Sequence, residues 1–158
     1  MKKETKQLKI VFAASSGGHL EQLLMLKPLM EKYDSVLVTE KTDYAAGKQP
    51  VRTLYLRQVN RKESGMLWYM LVNSWHSLCF LLKERPDVMI TTGVLAMIPM
   101  ALLMKLFGKK LIYIESFAKV NSRNLTGKLL YRFADRFYVQ WESMLKLYPR
   151  AIYEGGIY

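Results

Sequence analysis

Ser15-Ser16-Gly17-Gly18-His19 places two hydroxyls, two residues without side chains and an imidazole in one short run. It follows the apolar stretch Leu8–Ala14 and leads straight into the leucine-rich segment Leu20–Lys32. Between a strand and a helix, such a loop offers free backbone N–H groups and the positive end of a helix dipole to an anion. Gly17 and Gly18 allow a phosphate or a sugar oxygen to come close, and His19 has the right ordinary pKa to act as a base towards a hydroxyl. The same run also reads as a tight turn with a capping serine. It is not a P-loop, because no Gly-Lys-Ser/Thr follows, nor the glycine fingerprint of dinucleotide folds. Thr91-Thr92-Gly93 is a second small polar run at the end of an apolar one, and Glu115-Ser116 a third. A carboxylate at Glu115 suits sugar hydroxyls or the orientation of an imidazole, although a solvated glutamate is the plain alternative. Arg123, in the polar stretch before Thr126, is placed to meet phosphate.

The elements that position these runs follow from periodicity. Strands are expected at Leu8–Ala14, Ser35–Glu40, Val51–Arg57, Asp87–Thr92, Lys110–Glu115 and Arg136–Gln140. Helices are expected at Leu20–Lys32, Glu63–Glu84, Val94–Phe107 and Thr126–Ala134, with a last helical turn at Glu142–Leu147. This alternation with short connections predicts an α/β fold, a Rossmann-like parallel sheet with helices on both faces. No repeat or linker divides residues 1–158, so one domain is expected. In such sheets ligands lie beyond the carboxyl ends of the strands, where the three polar runs fall.

Composition narrows the function. Of 158 residues, 51% are hydrophobic and 23% charged, an ordinary globular balance. Cys79 is the single cysteine and His19 and His76 are the two histidines, which leaves no cysteine zinc cage and no dedicated metal site. Twenty-four Lys+Arg against 13 Asp+Glu give a formal +11, which favours polyanions or an anionic membrane. No nucleic-acid-binding signature accompanies that charge, so no nucleic-acid partner is expected. Residues 1–9 show no signal-peptide pattern. Met66–Leu82 carries no charge but is too short and too polar at Asn73, Ser74, His76 and Ser77 to be a good spanning helix. Trp68, Tyr69 and Trp75 on this segment, beside the cations Arg57, Arg61 and Lys62, fit in-plane contact with a membrane. A second basic group, Lys105, Lys109 and Lys110, follows the other apolar helix.

SSGGHLEQLL, PDVMITTG, IYIESFAKVNSRNLTGKLLYRFADRFYVQWE and the closing YPRAIYEGGIY together resemble one family along nearly the whole chain. It is the oligosaccharide-biosynthesis family that forms the acceptor-side subunit of two-chain glycosyltransferases. Eukaryotic members add the second N-acetylglucosamine to a dolichol-diphosphate sugar together with a catalytic subunit. Bacterial members serve capsule and exopolysaccharide assembly. The resemblance implies a fold equivalent to the N-terminal domain of a GT-B glycosyltransferase. It places Gly17, Gly18 and His19 at the diphosphate and hydroxyl of a lipid-linked acceptor, with His19 and Glu115 as candidate catalytic groups. Ser15, Ser16, Thr92, Gly93, Ser116 and Arg123 complete the candidate acceptor and phosphate contacts.

No counterpart of a UDP-sugar-binding domain is recognisable, so the expectation is a non-autonomous subunit, inactive without a partner that binds the donor, and without a cofactor of its own. The implied reaction transfers a hexose, galactose or glucose, to a polyprenyl-diphosphate-linked sugar at the cytoplasmic face of the membrane, with peripheral attachment. The family pattern puts the partner contact in the stretch 150–158, at Tyr153, Gly155, Gly156, Ile157 and Tyr158. A scaffold that contributes no catalytic group, or a stand-alone nucleotide-binding enzyme, are the rival expectations.

Overall fold

The computed structural model describes residues 7–158 apart from 44, 46, 48, 61 and 94. Strand β1 (Lys9–Ala14) is buried along its length, as expected of a strand covered on both faces. It leads into two short helices, α1 (Gly18–Leu24) and α2 (Lys27–Lys32), and then β2 (Asp34–Glu40) and β3 (Thr53–Leu56). Helix α3 (Met66–Glu84) returns the chain to β4 (Val88–Gly93). Helix α4 (Ile98–Leu106), β5 (Lys110–Ile114), α5 (Leu125–Leu130), β6 (Arg136–Val139) and β7 (Ile152–Tyr153) follow. All described strand pairs are parallel, in the order β3-β2-β1-β4-β5-β6-β7. The chain therefore works outward from β1 to β3, crosses back, and works outward again from β4. The loops leaving β1 and β4 diverge at that reversal, and a crevice opens at their carboxyl ends.

Each sheet face has its own core. Val11, Ala13, Met89, Leu111 and Phe137 pack on one side with Phe80, Met100, Met104 and Leu130 from α3, α4 and α5. Ile10, Phe12, Leu37 and Ile114 pack on the other with Leu20, Leu23 and Met30 from α1 and α2. At the end of the sheet away from the crevice, Glu84 receives Lys9 Nζ at 2.6 Å and both terminal nitrogens of Arg52, at 2.6 and 2.9 Å. These cations hold the Glu84 carboxyl down at about 2.

The departures from sequence expectation have local causes. The helix expected over Leu20–Lys32 is broken in two, with Pro28 in the first turn of α2. Pro99 likewise sits in the first turn of α4, behind a 3₁₀ turn at Leu95–Met97. The helix entered near Ser64 starts at Met66, and the helical turn after Trp141 is 3₁₀, Glu142–Lys146. Helix α5 stops at Leu130, short of Ala134. The closing strand β7 was not anticipated: two residues are too few to show a period.

Helix α3 turns its tryptophans to the outside, as in-plane membrane contact would require. The polar stripe of Asn73 and Ser77 faces inward with no exposure, while Trp68 and Trp75 are each 65% exposed and Leu67 and Leu71 73% and 63%. Asn73 is used there: its amide donates to the Arg57 carbonyl at 2.8 Å and accepts the Arg57 N–H at 3.1 Å. Among the described residues no helix is long and apolar enough to cross a membrane.

Candidate functional site

Phe12, Ala13 and Ala14 carry β1 through the core with no exposure, and Ser15 is still buried. The chain then turns on Gly17, whose φ of 84° is in the left-handed region that favours glycine. A Cβ added at Gly17 or Gly18 would meet nothing within 4 Å, so both face open space above the crevice. The carbonyl of Gly17 starts α1 by accepting from Leu20 and Glu21. Among the titratable groups of this loop, His19 becomes half-buried at the first turn, and burial lowers its pKa below the usual 6.5.

Strand β4 meets this loop through a bulge. Ala13 pairs with Thr91 and Ala14 with Gly93, so Thr92 has no opposite number and is turned out of the ladder. Its hydroxyl donates to the His19 carbonyl at 2.9 Å, and its own carbonyl accepts from His19 Nδ1 at 3.0 Å. A carbonyl can only accept, so Nδ1 carries a proton, and in the neutral imidazole Nε2 is then the nitrogen with the free lone pair. Gly93, at φ 97°, cannot be replaced without crowding: a Cβ would lie 2.9 Å from the Tyr113 hydroxyl. Sequence reasoning named Ser15–His19, Thr92 and Gly93, and the fold brings them together at the reversal point.

Glu115 is placed differently. It is 1% exposed, and its carboxylate is occupied from within the protein. Oε1 accepts from the Ser116 N–H at 2.9 Å, from the Tyr113 hydroxyl at 3.3 Å and from the Asn124 amide. Oε2 accepts from the Tyr148 hydroxyl at 3.1 Å. Burial raises its pKa despite these donors. This carboxylate ties β5 to the start of α5, where Asn124 caps the helix through the Gly127 N–H at 2.5 Å. The expectation that Glu115 grips sugar or orients His19 is corrected: its side chain is an interior anchor. Its backbone carbonyl does reach the site region, accepting from Gln22 of α1 at 3.2 Å and Gln140 at 2.8 Å. Ser116 is half-buried beside it, and Arg123 is exposed with its guanidinium 5.9 Å from the Tyr148 ring centre, so neither joins the His19–Thr92 clamp.

Three supporting residues escaped the sequence reading. Glu40, 4% exposed at the end of β2, accepts the Val59 N–H at 3.2 Å; burial raises its pKa, against the opposing effect of the Val59 and Ser16 backbone N–H groups. Its place at a strand end next to β1 was the available signal. Gln22, one turn after His19, also accepts the Phe117 N–H at 3.2 Å. Gln140 accepts the Ile157 N–H at 3.1 Å, which docks the closing residues beside this network. Among those closing residues, Tyr153 belongs to β7, Tyr158 packs edge-on against Phe117 at 5.1 Å, and a Cβ on Gly156 would sit 3.3 Å from the Phe117 ring. Gly155 and Ile157 border an apolar groove of about 290 Å³ together with Leu26, Leu29, Ile112 and Tyr138.

The model of the family described as "Oligosaccharide biosynthesis protein Alg14 like" matches residues 39–157. The chain belongs to the Alg14 family. The match starts after the glycine loop, but full-length relatives extend the likeness across it. The rat (Rattus norvegicus) UDP-N-acetylglucosamine transferase subunit ALG14 is 30% identical over 153 residues, covering 93% of this chain and 68% of that protein. The human protein of the same name is 25% identical over 183 residues, covering 96% and 84%. Among solved structures, MurG of Acinetobacter baumannii superposes with a TM-score of 0.69 at 14% identity, over 84% of this chain. UDP-GlcNAc 2-epimerase of Methanocaldococcus jannaschii does so with 0.71 at 15%, over 94%. These identities establish the fold alone, that of GT-B N-terminal domains. The chain spans 41% and 47% of those two structures, less than half of each.

For the expected membrane residues, Trp68 and Trp75 stand out from the Alg14-family fold, and Arg57 and Lys62 are exposed. Tyr69 is half-buried, with the Arg57 guanidinium 3.9 Å above its ring. Arg61 lies outside the described residues.

Proposed function

We propose that this chain is the acceptor-side subunit of a two-chain glycosyltransferase in oligosaccharide or polysaccharide biosynthesis. It presents a polyprenyl-diphosphate-linked sugar to a separate catalytic subunit that carries the UDP-sugar. The observation that supports this most is the clamp between His19 and Thr92 at the reversal of the sheet. It leaves a neutral imidazole with an unprotonated Nε2 beside two glycines that face open space.

In this reading the diphosphate lies along the backbone of Ser15–Gly18, and Nε2 of His19 takes the proton of the acceptor hydroxyl as the new glycosidic bond forms. Departure of UDP is stabilised by the partner. The names of the relatives favour UDP-N-acetylglucosamine as donor over the galactose or glucose expected from the sequence. A capsule or exopolysaccharide setting is part of the proposal and is decided by which lipid-linked acceptor is used. The partner docks at the closing residues Tyr153–Tyr158 and the apolar groove they border. The outward apolar face of α3, with Arg57 and Lys62 nearby, rests on the inner face of the cell membrane.

The test is reconstitution. The isolated chain should neither bind nor consume UDP-sugar, and turnover should appear when the donor-binding subunit is added. In the assembled complex, His19→Ala should lower turnover by about a hundredfold or more, the usual scale for loss of a general base. Turnover by the isolated chain would refute the split-enzyme reading. The interior position of Glu115 removes one of two expected catalytic groups and so favours a second reading, a scaffold without catalytic residues. Unchanged turnover of the His19→Ala complex would decide for it.

A further inference from the structure

At the end of the sheet opposite His19, a cavity of about 260 Å³ is lined by Tyr131, Arg132, Asp135, Arg136, Arg150 and Ile152. Its three arginines come from three separate places in the fold. Arg132 follows the end of α5, Arg136 opens β6, and Arg150 lies in the turn before β7. Among the described residues no carboxylate is within ion-pair distance of any of the three.

The one acid in the lining is committed elsewhere. Asp135 Oδ2 pairs with Lys105 Nζ at 2.7 Å and accepts the Leu111 N–H at 2.8 Å, while Oδ1 pairs with Lys110 Nζ at 3.3 Å. These donors outweigh its desolvation and hold its carboxyl at about 2, so it is ionised and already matched by two lysines. The guanidiniums are left without an anion. Arg150 is also held in place: its backbone N–H donates to the Tyr131 hydroxyl at 2.7 Å, and its guanidinium lies 5.2 Å from the centre of the same ring.

We infer that the cavity formed by Arg132, Arg136 and Arg150 over Tyr131 is a binding site for a phosphate group. Three unpaired guanidiniums around one concavity repel one another, and an anion between them relieves that repulsion. Each guanidinium presents a planar fork of N–H donors. Three forks exceed the two oxygens of a carboxylate but match the oxygens of a phosphate or diphosphate. The phosphate is either that of an anionic lipid headgroup or that of a soluble compound. This site is independent of the acceptor reading, since it lies at the other end of the strands.

The experiment uses the full chain in two arms. In the first, pyrophosphate is titrated calorimetrically into wild type, Arg136→Gln/Arg150→Gln and His19→Ala. In the second, the same proteins are sedimented with phosphatidylcholine vesicles, with and without phosphatidylglycerol. Loss of charge-assisted hydrogen bonds should weaken binding about tenfold or more in the arginine variant. His19→Ala should retain the part of the binding that the arginine variant loses, whatever it does to pyrophosphate at the glycine loop. A tenfold loss with pyrophosphate identifies a soluble phosphate ligand. A tenfold loss confined to phosphatidylglycerol vesicles identifies a headgroup. The inference is overturned if wild type binds in neither arm, or if the arginine variant binds as wild type does. It is also overturned if only His19→Ala weakens pyrophosphate, which would place the phosphate at the glycine loop. The single variants Arg136→Gln and Arg150→Gln, with an unchanged unfolding midpoint, guard against an effect on folding.

Discussion

Replacement of both Trp68 and Trp75 by serine tests whether the outward face of α3 rests on a membrane. Each indole is 65% exposed. With about 250 Å² for a large aromatic side chain, roughly 160 Å² of each remains open to solvent. Full immersion at ~25 cal/mol per Å² would contribute about 4 kcal/mol per tryptophan. A helix lying in the interface buries only part of its outer face, so about 2 kcal/mol each is the better figure. The two together give about 4 kcal/mol, or roughly a thousandfold in vesicle partitioning. Arg57 and Lys62 add about 1 kcal/mol each on an anionic surface, a contribution that falls as salt rises. Because the rings touch little of the protein, the fold should be almost unaffected. The assay is co-sedimentation with phosphatidylcholine–phosphatidylglycerol vesicles over a salt series, with thermal unfolding as the control. A double variant that binds within about threefold of wild type, with an unchanged salt profile, would refute the assignment of this face.

Four further outcomes follow from the geometry. With His19 as base, the acid limb of kcat for the assembled complex should lie on the acid side of the ordinary histidine value, because burial lowers its pKa, and His19→Ala should abolish that limb. Glu84→Gln should destabilise the chain at pH 7 by about 1–2 kcal/mol, a figure discounted because Arg52 is solvent-screened. The Glu84 carboxyl is depressed from 4.5 to about 2, so its contribution is present above about pH 4.5 and lost towards pH 2, where urea midpoints of wild type and variant should converge. Gly93→Ala should lower the unfolding midpoint and weaken the His19–Thr92 clamp, since it forces a side chain at φ 97° against Tyr113, at a cost of about 1–3 kcal/mol. Glu115→Ala should cost about 3 kcal/mol, or roughly 6–12 °C in Tm, by stranding the donors of Tyr113, Tyr148 and Asn124.

The alternation of strands and helices along the chain and the polar strand ends were legible in the sequence because both depend on pattern alone. Apolar runs alternate with helical periods, and polar, glycine-containing runs end the first, fourth and fifth strands. What pattern does not carry is which way a side chain turns at the boundary. Thr92 and Glu115 both sit at strand ends, yet a bulge turns Thr92 onto His19 while Glu115 folds under α5. The difference lies in partners far along the chain, above all Asn124 and Tyr148. Helix α3 shows the same limit in reverse. Its polar positions do not show which way it faces: the Asn73 amide turns inward to satisfy the backbone of Arg57. Once Asn73 points inward, helical spacing obliges Trp68, Leu71 and Trp75 to point out. The exposure of those side chains thus follows from the inward face that Asn73 shares with Phe80 and Leu81. An Asn73→Leu variant should keep this orientation, because Phe80 and Leu81 hold the same face, but strand the Arg57 N–H and carbonyl and lower stability, read from the urea unfolding midpoint, by about 1–3 kcal/mol.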